Sequence, residues 1–406
     1  MALAGCAHDP MSRKVSLGQI EPIEAMATLP DNGLMIAFPS RLERRAVDGR
    51  QLATFEFAAE ANVRFDGLAT DGQFVWGSGF FSGPIKIASG KIGPRGAFDG
   101  FIAQWDASTL QLRWFLQLGT GGMTMARRLA LASDGTAWVV GTVEQRLGVT
   151  PDEPLAIGDG DAFALNVNVA GAPLRVIRFG GKGQDIARGV AIAGDGTVAI
   201  VGMFGGPTRE RPTGARDTNH DLVIGNHRLK HLGNADGFVV LLRANGEVKA
   251  VTSIAEPGFD VVKDVLPTPE GWLVGGSVKL DAGDGGQPGG AEHLRGFIAW
   301  LDHDGVVQRQ ERKQNLLTLH KLVSAHGAWW GTGHAIADER REMVLLRIDL
   351  QNSIEVARCR SPDGMALGHV ISAATSVYFG GVGALPLSCS GAVAMSGLPA
   401  ARLSFH

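Results

Sequence analysis

One unit recurs four times along the middle of this chain. It opens on a phenylalanine behind a small residue, as in Asp99-Gly100-Phe101 and Asp161-Ala162-Phe163, and closes on a glycine after an apolar run, as in Val198-Ala199-Ile200-Val201-Gly202. From opening Phe to closing Gly, the pairs Phe101 and Gly141, Phe163 and Gly202, Phe238 and Gly276, and Phe297 and Gly333 stand 40, 39, 38 and 36 positions apart. So narrow a period marks a repeat architecture, in which each copy buries its apolar faces only against its neighbours.

Each copy reads as four short strands. An apolar run follows the Phe, then a hairpin turn such as Ala244-Asn245-Gly246 or His303-Asp304-Gly305, then a more polar strand. The third and fourth strands flank a second turn, Ser133-Asp134-Gly135 or Gly194-Asp195-Gly196. The chain's 57 glycines are spread among apolar runs, which suits many short strands and tight turns. Fainter copies extend both ways, from Arg41-Leu42 to Gly77 and from Met343 to Gly381. At the N-terminus, Ile23 to Phe38 supplies only a third and fourth strand; at the C-terminus, Ala392–Met395 and Ala401–Phe405 supply only a first and second. The expectation is an all-β fold: a single seven-bladed β-propeller of four-stranded antiparallel blades over residues 20–406, preceded by a tail, 1–19. Its ring is closed by a blade shared between the two termini, leaving no free sheet edge.

The combination of Asp-Ala/Gly-Phe, an Asn/Asp-Gly turn, Ile186-Ala187-Arg188-Gly189-Val190-Ala191 and Asp195-Gly196-Thr197-Val198 resembles the bacterial β-propeller repeat often called SBBP. The segment Gly79-Phe80-Phe81-Ser82-Gly83-Pro84 is similar to that family's linkers. The resemblance covers most of residues 20–406 and is strongest from 99 to 205. It implies an envelope or secreted protein and no catalytic residues, because the shared pattern is one of packing.

The net charge of −3 gives no electrostatic drive towards nucleic acid or an anionic membrane, and no apolar run is long enough to span a bilayer. Leu3-Ala4-Gly5-Cys6 is similar to a bacterial lipobox. It would lipidate Cys6 and tether a monomeric protein to the envelope, its contact with the membrane being through that anchor alone; the alternative is a short tail matching by chance. In an oxidising compartment Cys359, at the end of a second strand, and Cys389, in the crossing to the next blade, fall on one face and are candidates for a disulfide.

Long segments at 80–98, 144–160, 205–235 and 278–294 separate the early copies and read as crossings between blades, gathered on one variable face. The longest holds Asp217, His220, Asp221, His227 and His231, residue types that ligate metals, at a spacing that fits no standard site. Asp281-Ala282-Gly283-Asp284 lacks the distal Glu of a calcium loop. A polar residue precedes each third strand: Arg64, Arg127, Arg188, Lys263, Lys321 and His369. If the copies superpose, these recur around the axis as a cationic mouth for an anionic or sugar ligand; alternatively they pair with nearby acids such as Asp185 and Asp260. No cofactor motif and no nucleophile elbow or phosphate loop occurs. The readings are then a non-catalytic propeller binding a protein or glycan through its loop face, a propeller enzyme acting on polysaccharide at the axial mouth, or a purely structural surface module.

Overall fold

The computed structural model describes residues 22–404 apart from short stretches, the longest being 208–219 and 281–293; beyond Cys359 it describes strand pairing alone. The chain is an all-β propeller with almost no helix. The first sheet holds Ala25–Thr28, Leu34–Phe38, Arg41–Arg45 and Gln51–Glu56. The second holds Val63–Thr70, Phe74–Phe81, Asp99–Asp106 and Leu112–Leu118; the third, Thr124–Leu131, Ala137–Val143, Asp161–Val167 and Pro173–Phe179. The fourth (Gln184–Ile192, Val198–Gly206, Asp236–Leu242, Val248–Ile254) and fifth (Gly258–Thr268, Gly271–Leu280, Leu294–Leu301, Val307–Lys313) repeat the order. A five-stranded sheet follows, Thr318–Ala325, Ala328–Ala337, Arg340–Ile348 and Ser353–Arg360, extended at its outer edge by Ser388–Gly391. The C-terminal sheet holds Leu367–Ala373, Ser376–Val382, Ala401–Ser404 and Ala394–Met395.

Two expectations are corrected. Six four-stranded blades are present rather than seven; the remaining large sheet has five strands. Among the described residues no blade is shared between the termini. Ala25–Phe38 pairs with its own downstream strands, and Ala401–Ser404 pairs with Ser376–Phe379. The error lies in the phase of the repeat. The strand after Phe101 belongs with Val63–Phe81 behind it, so a blade runs third, fourth, first, second in the sequence order read above. The long segments therefore join adjacent strands of one sheet, and the short ones, such as Gly119–Met123 and Gly180–Gly183, cross between sheets. The ring closes by contact: the first strands of successive sheets touch in turn, and Leu367–Ala373 meets Ala25–Thr28.

The core sits between sheets. Trp76, Ile102 and Leu118 of the second sheet pack against Val139, Phe163 and Leu165 of the third, and similar clusters recur around the ring. Trp138, Trp272 and Trp330 are buried in these layers, while Trp329 is half-buried. Each buried Phe or Trp contributes about 2–3 kcal/mol of apolar burial.

The repeated aspartates before each Phe have a local task. Asp99 accepts the N–H groups of Arg95 and Gly96 (3.0 and 3.1 Å), Asp161 that of Ile157 (3.1 Å), and Asp236 those of Leu232 and Gly233 (2.5 and 3.2 Å). Each carboxylate closes the end of its long segment. That segment then bridges in parallel to the next sheet, Phe98 to Met123, Gly160 to Gln184 and Ala235 to Phe259. A side chain at Gly158 or Gly233 would overlap the backbone of Gly181–Gly183 or Gly258, so these positions admit glycine alone.

Candidate axial binding site

The closing glycines determine where the polar side chains go. Five innermost strands carry a β-bulge at one register, between Phe65 and Gly67, Ala126 and Arg128, Ala187 and Gly189, Val262 and Asp264, and Leu319 and Lys321. Opposite the bulges stand Gly79, Gly141, Gly202, Gly276 and Gly333. A Cβ on any of them would overlap a carbonyl oxygen of the bulged strand, that of Arg64, Met125, Ile186, Val261 or Thr318. On their other side, Phe101, Phe163, Phe238 and Phe297 sit directly across from the first four glycines and lay a ring edge over them. The Phe–Gly signature of the sequence is thus one cross-strand pair per sheet, and it leaves room for a bulge, which re-aims a side chain.

The bulged-out residues are Asp66, Arg127, Arg188, Lys263 and His320. Electrostatic coupling links Asp66, Arg127, Arg188 and Lys263 from sheet to sheet, while His320 bonds to His334 at 3.1 Å. Arg188 feels Arg127 and Arg128 on the third sheet and Asp66 on the second; Lys321 of the five-stranded sheet feels Arg128 across the ring. Six cations gather here, Arg64, Arg127, Arg128, Arg188, Lys263 and Lys321. Three carboxylates oppose them: Glu24 pairs with Arg64, Asp66 with Arg127 at 3.2 Å, and Asp264 with Lys321 at 3.2 Å. Asp264 also accepts the Leu322 N–H (2.7 Å) and Glu24 the Phe65 N–H (2.8 Å), so both tie adjacent sheets together. A surplus of three positive charges therefore stands in a chain of net charge −3.

Arg128, Arg188 and Lys263 are the three left over; among the described residues Arg188 and Lys263 have no ion-pair or hydrogen-bond partner, Asp66 acting on Arg188 only from a distance, and Arg188 Nε is buried. Burial, then the neighbouring Arg188 and Arg341, pushes Lys263 down to about 7. Burial and Arg127 likewise push Arg188 down to about 10. Burial pushes Glu24 up to about 7 against the pull of Phe65 N–H and Arg64. Val143, the last residue before the long segment 144–160, pairs with Thr124 at the start of its innermost strand. The bulge three residues further on thus lies near the loop-bearing face.

Of the six polar residues expected at the mouth, Arg127, Arg188 and Lys263 occupy the equivalent bulge. Arg64 and Lys321 do not; their equivalents are Asp66 and His320. His369 lies opposite Gly380 in an unbulged pairing, and its side chain is outside the described residues. Asp185 is fully buried and binds the Gly181 and Gly205 N–H groups, with burial lifting it to about 8; it pairs with none of these cations. Sequence reading missed Glu24, Asp66, Arg128 and Asp264. A signal existed: the bulge residue lies 13 or 14 positions ahead of the closing glycine, as Asp66 does for Gly79 and Arg188 for Gly202.

In the longest loop the His220 and His231 rings lie 5.6 Å apart. Asp221 accepts Arg228 Nε (2.6 Å) and the His231 N–H (2.9 Å), and His227 pairs with Ile224 in a two-stranded hairpin. Asp217 and Cys6 lie outside the described residues, as does the 281–286 segment. No group of three His, Cys, Asp or Glu converges among the described residues. On the opposite, turn-bearing face a cleft of about 390 Å³ is lined by Trp272, Trp329, Asp195 and His303. Two of its polar groups are engaged, Asp195 by Thr197 and His303 by the Pro269 carbonyl. Cys359 is disulfide-bonded, and Cys389 is its partner in strand register.

No family model matches the chain. No curated protein matches it either. Among solved structures it is similar to an oxidoreductase (glucose dehydrogenase) from Thermus, at 17% identity over 82% of this chain and 98% of that one, TM-score 0.46. A mitotic checkpoint complex chain is similar at 11% identity over 90% and 95%, TM-score 0.46. A Bacteroides caccae protein of unknown function is similar at 10% over 74% and 86%, TM-score 0.37.

Proposed function

We propose that this β-propeller is a non-catalytic binding protein that takes an acidic ligand, a glycan or an acidic stretch of protein, at the axial mouth of its loop-bearing face. The observation that supports this is the pair Arg188 and Lys263, neighbours on adjacent innermost strands that have no ion-pair or hydrogen-bond partner among the described residues. Uncompensated charge in such a place costs stability, and its retention is accounted for by a ligand of opposite sign. Low-dielectric walls focus that field on an approaching anion. Binding is favoured over polysaccharide cleavage because Glu24, Asp66 and Asp264 are each engaged by a cation, whereas hydrolysis requires a carboxylate pair free to act on the bond. The SBBP-like repeat and the lipobox-like Leu3–Cys6 support a place in the bacterial envelope or outside the cell, with Cys359 bonded to Cys389. The test is binding of polygalacturonate against neutral dextran, with the double variant R188A/K263A. Salt-sensitive binding of polygalacturonate alone, lost in the variant, is the expected result. Equal binding of dextran, or full binding by the variant, overturns the reading.

A further inference from the structure

Resting on that reading, we infer that Arg188 and Lys263 form a seat for a phosphate monoester carried by the ligand. The argument is one of charge and shape. The two residues hold the same bulge register on adjacent innermost strands, and they stand close enough for Arg188 to act on the Lys263 charge. Their flanking cations are spoken for: Arg127 is paired with Asp66, and Lys321 with Asp264. What remains at the seat is two positive charges, with Arg128 and Arg341 beyond them. A monocarboxylate answers one of these charges. A phosphate monoester is a dianion above about pH 6 and offers three acceptor oxygens, which answers both. The chemistry of the donors agrees. The planar guanidinium of Arg188 presents a fork that fits two phosphate oxygens, and the Lys263 ammonium is a mobile point charge for the third.

The seat has a built-in proton link. Arg188 and Arg341 are the charged groups that face Lys263, and both disfavour its charged form. A bound dianion reverses that balance, so binding near pH 8 draws a proton onto Lys263. Affinity then falls as pH rises above the point where free Lys263 loses its proton, and falls again below about pH 6, where the monoester becomes a monoanion.

The test uses the full chain, with calorimetry of glucose 6-phosphate, inorganic phosphate, sulfate and acetate at fixed ionic strength, in buffers of differing ionisation enthalpy. The expected result is that glucose 6-phosphate binds at least tenfold more tightly than sulfate or acetate. R188Q and K263Q should each weaken it tenfold or more while K263R keeps most of the affinity, and proton uptake at pH 8 should vanish in K263R. Tight binding of inorganic phosphate with none of the ester overturns the inference, as does equal affinity for all four anions. So does an unchanged affinity in R188Q and K263Q. Should polygalacturonate bind through these residues while glucose 6-phosphate does not, this inference fails and the acidic-ligand reading stands.

Discussion

From the second sheet to the fifth, the end of each long segment is bonded to the sheet ahead: Thr124 N–H to Phe98 O (2.8 Å), Asp185 N–H to Gly160 O (2.7 Å), Asp260 N–H to Ala235 O (2.8 Å). The first sheet is tied on in its own way, with Ser40 and Val63 exchanging bonds and Glu24 holding Phe65. Between the C-terminal sheet and the first, contact of Leu367–Ala373 with Ala25–Thr28 joins the ring, and the described residues show no backbone bond across the join. The C-terminal segment compensates by crossing over. Ser388–Gly391 adds to the five-stranded sheet, while Ala401–Ser404 adds to the C-terminal one. The stitched arc is coded by repeated residues; the closure is coded by chain connectivity. That is why the first is visible as a sequence period and the second is not.

The largest expected effect tests the arc. Gly141→Val places a branched side chain against the Met125 carbonyl and the Phe163 ring. It should cost about 4 kcal/mol or more, read by denaturant unfolding, because neither neighbour can move without losing the bulge. A variant within ~1 kcal/mol of the parent would remove the glycine from its role. The closure is tested next, by Cys359→Ser. The expected bridge to Cys389 closes a 30-residue spacing, so losing it should cost about 3 kcal/mol. Labelling of both thiols in unreduced, unfolded protein would show that the bridge is absent.

Asp236→Ala takes the acceptor from two N–H groups at the end of a stitched segment. A loss of about 2 kcal/mol is expected, with faster amide exchange at Leu232 and Gly233. Exchange that stays unchanged there would mean the carboxylate does not hold the segment. The smallest effect has the opposite sign. Lys263→Met should raise the melting temperature by a few degrees at pH 6, since it removes a buried charge that has no partner among the described residues. The folded state binds this proton less tightly than the unfolded chain does. The destabilisation is therefore complete below about pH 7 and fades as pH rises towards the ordinary lysine range. The gain from Lys263→Met should shrink in step; a gain that grows with pH would contradict the placement of this amine.

Much of the fold was legible because its instructions are local. Asp-Gly turns, apolar runs and the Phe–Gly period follow from backbone sterics and packing within one sheet. The phase of the repeat was not, since a meander reads alike from any of its four strands and only pairing decides which neighbours share a sheet. The same gap displaced two candidates at the mouth. Arg64 and Lys321 are the basic residues nearest the strand start, but the bulge puts Asp66 and His320 at the register that Arg127, Arg188 and Lys263 share. Which cation keeps a free charge was hidden further still. Asp66 and Asp264 reach their partners on the next sheet, a contact with no trace in sequence distance.

The long segments begin and end on neighbouring strands of one sheet, pinned at the base by Asp99, Asp161 and Asp236. Their length is thereby decoupled from the ring. Such a chain can gain or lose residues at these points without shifting any sheet against the next, so its surface is free to diversify while its frame stays fixed. Guests inserted between Gly206 and Leu222 should be carried as passengers, whereas even one residue added between Phe179 and Gln184 would have to be absorbed by the whole circle.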